Sequence, residues 1–174
     1  MADEDANSQT PGPESREPTV RDLAQLCQQL NRREARYIVI GGFAMRAAGF
    51  PRTTMDVDLL IDVTEDNESR VLEAVGTLPD GAAKEIKPGE VAQWIVVRIG
   101  DEITVDLMRS ACGIDFQQAK SMTVIHKVDG VNIPFASPEL LWITKKPTHR
   151  AKDFQDLIFL QSWFDANGKT PPKI

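Results

Sequence analysis

The chain has 174 residues, 41% apolar and 26% charged, which suits one soluble domain with a real core. Its formal charge of −6 is uneven: residues 1–18 sum to −4, so the remainder is nearly balanced, which argues against a broad nucleic-acid surface but permits a local basic cleft. No apolar run approaches the ~18 residues of a membrane span, and the N-terminus is neither basic nor apolar as a secretory leader would be.

Residues 1–18 are acidic, polar and proline-rich and are expected to form a disordered tail. Thr19 is the expected N-cap of a first helix, in which Val20, Leu23, Leu26, Cys27 and Leu30 recur at helical spacing. Residues 37–40 read as a short apolar strand that turns through Gly41-Gly42 into a brief helix over 43–48, ended by Gly49 and Pro51. A second strand covers 55–62. A helix over 65–77 packs through Val71, Leu72 and Val75, and 79–89 is a loop with space for one helical turn. Strands over 94–99 and 103–108 are joined by Gly100-Asp101-Glu102 at hairpin-like spacing. After a helical turn at 116–120, strands over 123–128 and 131–134 flank Asp129-Gly130, a strong two-residue hairpin signal. Ser137 caps a helix beginning at Pro138, and a last helix over 148–164 is expected to bury Phe154, Leu157, Ile158 and Gln161. The expected fold class is α/β or α+β, a mixed sheet of five or six strands flanked by helices. One domain would span 19–166, followed by a flexible tail at 167–174. Cys27 and Cys112 lack metal-ligand spacing, so reduced thiols in a cytoplasmic protein are expected.

The chemistry concentrates in residues 38–62. On an extended strand, residues i and i+2 share a face with Cα atoms about 6.5–7 Å apart. Asp56 and Asp58 therefore converge while Val57 and Leu59 point the other way. Carboxylates on such an apolar strand need compensation. Hard divalent cations such as Mg²⁺ or Mn²⁺ suit oxygen ligands of this kind. Asp106, between Val105 and Leu107 on a later strand, offers a third carboxylate. Three acids on neighbouring strands can hold two ions about 3.5–4 Å apart, the arrangement used for phosphoryl and nucleotidyl transfer. The plain alternative for each is a solvated residue of an alternating strand. Asp62 reads as a turn former, and Asp101 and Glu102 as the hairpin bend.

These residues resemble the nucleotidyltransferase superfamily that includes DNA polymerase β, and more closely its toxin-type, AbiEii-like and minimal branch. Gly41, Gly42, Ala44, Gly49, Arg52, Thr54, Asp56 and Asp58 match the branch's glycine-pair and Asp-x-Asp series. Lys145, Arg150, Lys152, Asp153, Asp156 and Leu157 match its later basic segment. The resemblance implies transfer of a nucleoside monophosphate from an NTP to RNA, protein or a small molecule, with an antitoxin protein as a partner. It also implies metal ligation by Asp56, Asp58 and Asp106, with Asp106 helping to deprotonate the acceptor. Nucleotide contacts would come from Gly41, Gly42, Arg52, Thr54, Lys145 or Lys146, Arg150 and Asp153.

Bland readings stand beside these roles. The glycines can simply make a tight turn, and Arg52 can pair with the acid cluster. Arg150 with Asp153, and Lys152 with Asp156, are spaced for intrahelical pairs. Gly42 also departs from superfamily members that carry serine there, leaving only backbone donors. That departure, the small size and the acidic balance support an alternative function as a catalytically degenerate module binding a nucleotide or a partner. An aminoglycoside-type transferase is a third reading, disfavoured because the acids are already assigned to metal. The three tryptophans, Trp94, Trp142 and Trp163, read as core or shielding residues.

Overall fold

The computed structural model describes residues 14–174. Thr19 opens helix α1 (Val20–Arg32) through a reciprocal capping box, in which its hydroxyl accepts the Asp22 N–H and the Asp22 carboxylate accepts the Thr19 N–H. Leu23, Leu26, Cys27 and Leu30 line the buried face, whereas Val20 in the first turn stays exposed. Burial pushes the Cys27 thiol up to about 12, which keeps it protonated and unreactive.

Strand β1 (Tyr37–Ile40), buried throughout, runs straight into α2 (Gly41–Ala47). There follow β2 (Asp56–Ile61), α3 (Glu65–Val75), a 3-10 turn (Ala82–Glu85) and the short α4 (Glu90–Gln93). The buried Glu68 carboxylate pins that last connection by accepting the N–H groups of Gly89, Val91 and Ala92. Strands β3 (Val96–Gly100) and β4 (Thr104–Met108) form the expected hairpin. A small ribbon of β5 (Ser110–Ala111) and β6 (Ile114–Asp115), then α5 (Phe116–Ala119), lead to β7 (Thr123–Val128) and β8 (Val131–Ala136). Between β7 and β8, Asp129 and Gly130 take φ +48° and +79°, the pair of left-handed residues that a two-residue hairpin turn requires.

Six strands make one mixed sheet in the order β3-β4-β2-β1-β8-β7. The β2–β4 and β1–β8 pairs are parallel and the other neighbours antiparallel. Helices α1 and α3 pack together, and α2 packs on β2 and on α6 (Pro138–Lys145), which carries the C-terminal helix α7 (Ala151–Ala166). Among the described residues, no helix is long and apolar enough to cross a membrane.

At the N-terminus, residues 1–13 of the anticipated disordered tail lie outside the described residues. Ser15 and Arg16 are anchored: the Ser15 hydroxyl donates to the Asp101 carbonyl, and Arg16 pairs with Asp22 at 2.7 Å. Past α7, Lys169 reaches Glu139 at 3.3 Å.

Helix α7 departs from its predicted register. Lys146–Thr148 form a 3-10 turn and His149 takes φ +53°, so the helix starts at Ala151. Its buried stripe is Asp153, Asp156, Leu160 and Phe164, while Phe154 and Ile158 are 57% and 60% exposed and Gln161 faces solvent. Of the expected stripe Leu157 packs against the core, and the other three positions are misplaced because two aspartates on the inner face are matched by cations from elsewhere in the fold. The register is tested by a pair of truncations. Phe164→Ala is expected to cost about 3–5 kcal/mol in chemical denaturation. Phe154→Ala should stay within about 0.5 kcal/mol of the parent.

Candidate active site

Sheet register sets three charged side chains on a single rung. Asp58 of β2 stands beside Asp106 of β4, and Asp106 stands opposite Arg98 of β3. Asp56, two residues before Asp58, shares that face. Asp56, Asp58 and Asp106 each offer a carboxylate oxygen, and these oxygens all lie within 4.8 Å of one another. On the opposite face Val57, Leu59, Val105 and Leu107 are fully buried, so the acids cannot turn away without unpacking the sheet. Asp58 carries the strain. Burial, then the charges of Asp106 and Asp56, push its carboxyl up to about 6 against the pull of Lys145 and Lys152.

The two glycines are required by these side chains as well as by the turn. Gly41 has φ +67°, and a Cβ there would lie 2.1 Å from Asp58 Oδ2. A Cβ on Gly42 would lie 2.5 Å from Thr54 and 3.1 Å from the Arg52 guanidinium. Thr54 itself is buried, and its hydroxyl donates to the Asp56 carbonyl at 3.0 Å, fixing the entry to β2.

The basic residues divide into two groups. Arg52 pairs with Asp156 of α7 at 3.3 Å rather than with the acid triad. Lys145 Nζ lies 2.8 Å from the same Asp156 oxygen and 3.5 Å from Asp153 Oδ1. Asp156 is wholly buried and makes no aligned hydrogen bond, so close charge pairing compensates it. Lys152 points to solvent, and the anticipated Lys152–Asp156 pair does not form. The Arg150–Asp153 pair does form, at 2.7 Å, and the Thr148 hydroxyl also donates to Asp153. Burial alone would raise the Asp153 carboxyl, but the hydrogen bonds from Thr148 and Arg150 and the Lys145 charge hold it below the usual range. Lys146 lies over the Trp142 ring and, with His149, lines a different hollow. Trp142 is buried, whereas Trp94 is largely exposed, contrary to a core or shielding role.

Arg98 is the residue that motif reading missed. Its Nε and Nη2 donate to the two oxygens of Asp106, both at 2.9 Å, and Nη2 donates to Asp56 at 3.1 Å. Hydrogen bonding to Asp106, then the Asp106 and Asp56 charges, push its pKa further up. The hairpin itself held the clue, because the short connection after Gly100 sets Arg98 opposite Asp106. Beside the triad, a cleft of about 390 Å³ is lined by Gly41, Lys145, Arg150 and Thr148, with Ile95 and Met108 on its apolar side. None of the three acids lines this cleft, which meets the triad at Gly41, the residue packed against Asp58; a larger hollow of about 530 Å³, at Arg33, Leu72 and Lys84, lies on neither the glycine turn nor the acids.

Over residues 19–168 the sequence matches the family described as "Nucleotidyl transferase of unknown function (DUF2204)". The chain belongs to this family. No curated protein matches the sequence. Among solved structures, this chain is similar to an antigenic nucleotidyltransferase-like protein from Paracoccidioides brasiliensis. That pair shares 18% identity over 84% of this chain and 76% of the other, with a TM-score of 0.51. It is also similar to the lincosamide antibiotic adenylyltransferase LnuA bound to lincomycin, at 14% identity over 84% of this chain and 99% of the other, with a TM-score of 0.57. At these identities the likeness shows a shared fold.

The Asp58 shift has a consequence for stability. Because its carboxyl is raised in the folded protein, folding favours the protonated form, and stability falls as pH rises from about 4 to about 6. Asp58→Asn is expected to raise the stability of the chelator-treated protein at pH 7 by about 1–3 kcal/mol and to flatten that pH dependence. Thermal unfolding between pH 4 and 7 reads both effects, and coincident curves for the two proteins would contradict them.

Proposed function

We propose that this nucleotidyl transferase is a Mg²⁺-dependent enzyme, with Mn²⁺ able to substitute, that moves a nucleoside monophosphate from an NTP to an acceptor hydroxyl through Asp56, Asp58 and Asp106. The observation that carries this reading is the convergence of three carboxylates beside Gly41 in a chain of this family. The donor set fits the ion: it is all carboxylate oxygen, which suits Mg²⁺ and Mn²⁺ better than softer metals. When bound, the metal supplies charge neutralisation at the phosphates and lowers the pKa of the attacking hydroxyl.

The protein's own groups do the rest. Asp106 accepts the proton of the acceptor hydroxyl as that oxygen attacks the α-phosphorus. The bond from the α-phosphorus to the bridging oxygen of the β-phosphate breaks, and pyrophosphate leaves. Lys145 and Arg150 line the cleft and supply positive charge for the leaving group, with Asp153 fixing both. Arg52, behind Gly42, adds a further charge, and Thr54 holds the entry to β2 in place. The missing side chains at Gly41 and Gly42 let Asp58, Thr54 and Arg52 pack against this turn.

The ordered motifs support placement in the toxin-type, AbiEii-like branch, with RNA or protein as acceptor and an antitoxin as partner. The likeness to LnuA, an enzyme whose name describes a lincosamide antibiotic as its substrate, supports a small-molecule acceptor instead. Free thiols at Cys27 and Cys112 suit a cytoplasmic location. Arg98 favours one second reading: because it already engages Asp56 and Asp106, the chain would bind a nucleotide or a partner protein without catalysis.

The deciding experiment incubates the protein with each α-labelled NTP and Mg²⁺ or Mn²⁺, adding RNA, lysate protein or small-molecule extract in separate arms. Label transfer is expected in one arm, with Asp56→Asn, Asp58→Asn and Asp106→Asn each reducing it by about 10²-fold or more. Calorimetric NTP binding with no transfer in any arm would support the second reading. Absence of NTP binding with metal present would sink the transferase reading and the nucleotide-binding form of the second.

A further inference from the structure

We propose that Arg98 is an internal counter-ion that closes the cation-free site, is displaced when the cation enters, and then binds a phosphate oxygen of the incoming triphosphate. The inference rests on the acid triad being the cation site proposed above, and it adds a residue outside the motif series.

Competition follows from the hydrogen bonds. Arg98 engages both oxygens of Asp106 and one of Asp56, leaving Asp58 as the acid it does not bond. A cation between the carboxylates would draw one oxygen from each acid, and Arg98 already occupies both oxygens of Asp106 and one of Asp56. A guanidinium and a divalent cation sharing them would also repel each other. One must leave, and the cation brings the larger charge.

Arg98 is built to leave. It stands on β3, an edge strand of the sheet, with 64% of its side chain exposed. Among the described residues its acidic partners are Asp56 and Asp106 alone. Rotation therefore carries it into water without opening the core. Lys145 is the opposite case, since it is buried and held by Asp153 and Asp156.

Once released, the guanidinium stays tethered on the face that carries the triad, opposite Asp106. Its two former acceptors are then engaged by the cation. The anion that a loaded site brings to that position is the triphosphate, and a planar five-donor fork matches phosphate oxygens better than an ammonium does. Substrate binding thus restores the hydrogen bonds that cation entry removed.

The test measures Mn²⁺ binding to the full-length, nucleotide-free protein by electron paramagnetic resonance, comparing the parent with Arg98→Ala and Arg98→Gln. Both variants are expected to bind Mn²⁺ about tenfold more tightly. At saturating Mn²⁺ both should bind an α,β-methylene NTP analogue about tenfold more weakly. The glutamine variant keeps a polar side chain at the edge strand, and circular dichroism verifies folding in both. Mn²⁺ affinity equal to or weaker than the parent's in a folded variant overturns the proposal, as does unchanged affinity for the analogue. An Asp56→Asn/Asp58→Asn control separates the two levels: if it binds Mn²⁺ as well as the parent does, the cation site itself is wrong.

Discussion

Three carboxylates fixed on one side of a buried sheet repel one another, and much of the surrounding structure either prevents relief of that repulsion or balances it. Two like charges about 4.8 Å apart in a medium of effective dielectric ~20 cost about 3–4 kcal/mol. That is a large share of the ~5–15 kcal/mol that holds a domain folded. The acids cannot separate, because Val57, Leu59, Val105 and Leu107 anchor the same strands from behind. Nor can Asp58 withdraw toward the helix, where Gly41 leaves it just enough space. The sheet holds the carboxylates in a crowded arrangement that a cation relieves.

Balance comes in two layers of different permanence. Arg98 is exposed and bonded only at its tip, so its contribution is exchangeable. Lys145 is buried and clamped. Its ammonium has three donors; it donates to Asp153 and is held beside Asp156 by charge without an aligned hydrogen bond, which leaves donor capacity for a group in the cleft. Asp156 matters beyond its pairing with Lys145 because it also holds Arg52, tying the segment that enters β2 to the C-terminal helix. Removing that carboxylate would leave two cations facing each other with one buried anion fewer between them.

What the sequence made legible follows from the range of the physics involved. The capped start at Thr19, the Asp129-Gly130 turn and the strand carrying Asp56 and Asp58 depend on interactions within a few residues, and each shows in local pattern. The convergence of Asp106 with that pair was also readable, since alternating apolar neighbours put an acid on one face of a neighbouring strand. Helix α7 was misread for the complementary reason. Burial of Asp153 and Asp156 is set by Lys145 on α6 and Arg52 before β2, partners that no helical periodicity reports. Arg98 lies between these cases. Its pairing with Asp106 is encoded by hairpin register, but a search for acids and motif glycines passes over an arginine on an edge strand.

The anionic and cationic halves of the site rest on unequal supports. Asp58 and Asp106 sit on β2 and β4, central strands paired on both sides, so their positions can shift only with the sheet. The cations hang from the periphery: Arg98 from an edge strand, Arg150 from the cap of α7, and Lys145 from the last turn of α6. Local opening costs least where few buried contacts hold an element. In the proposed mechanism, adjustment to a substrate would therefore fall to Arg98 and Arg150, while the acids stay fixed. Such a division suits a phosphate-handling site, in which the cation's place must be set before the substrate arrives and the groups that grip a triphosphate must close after it.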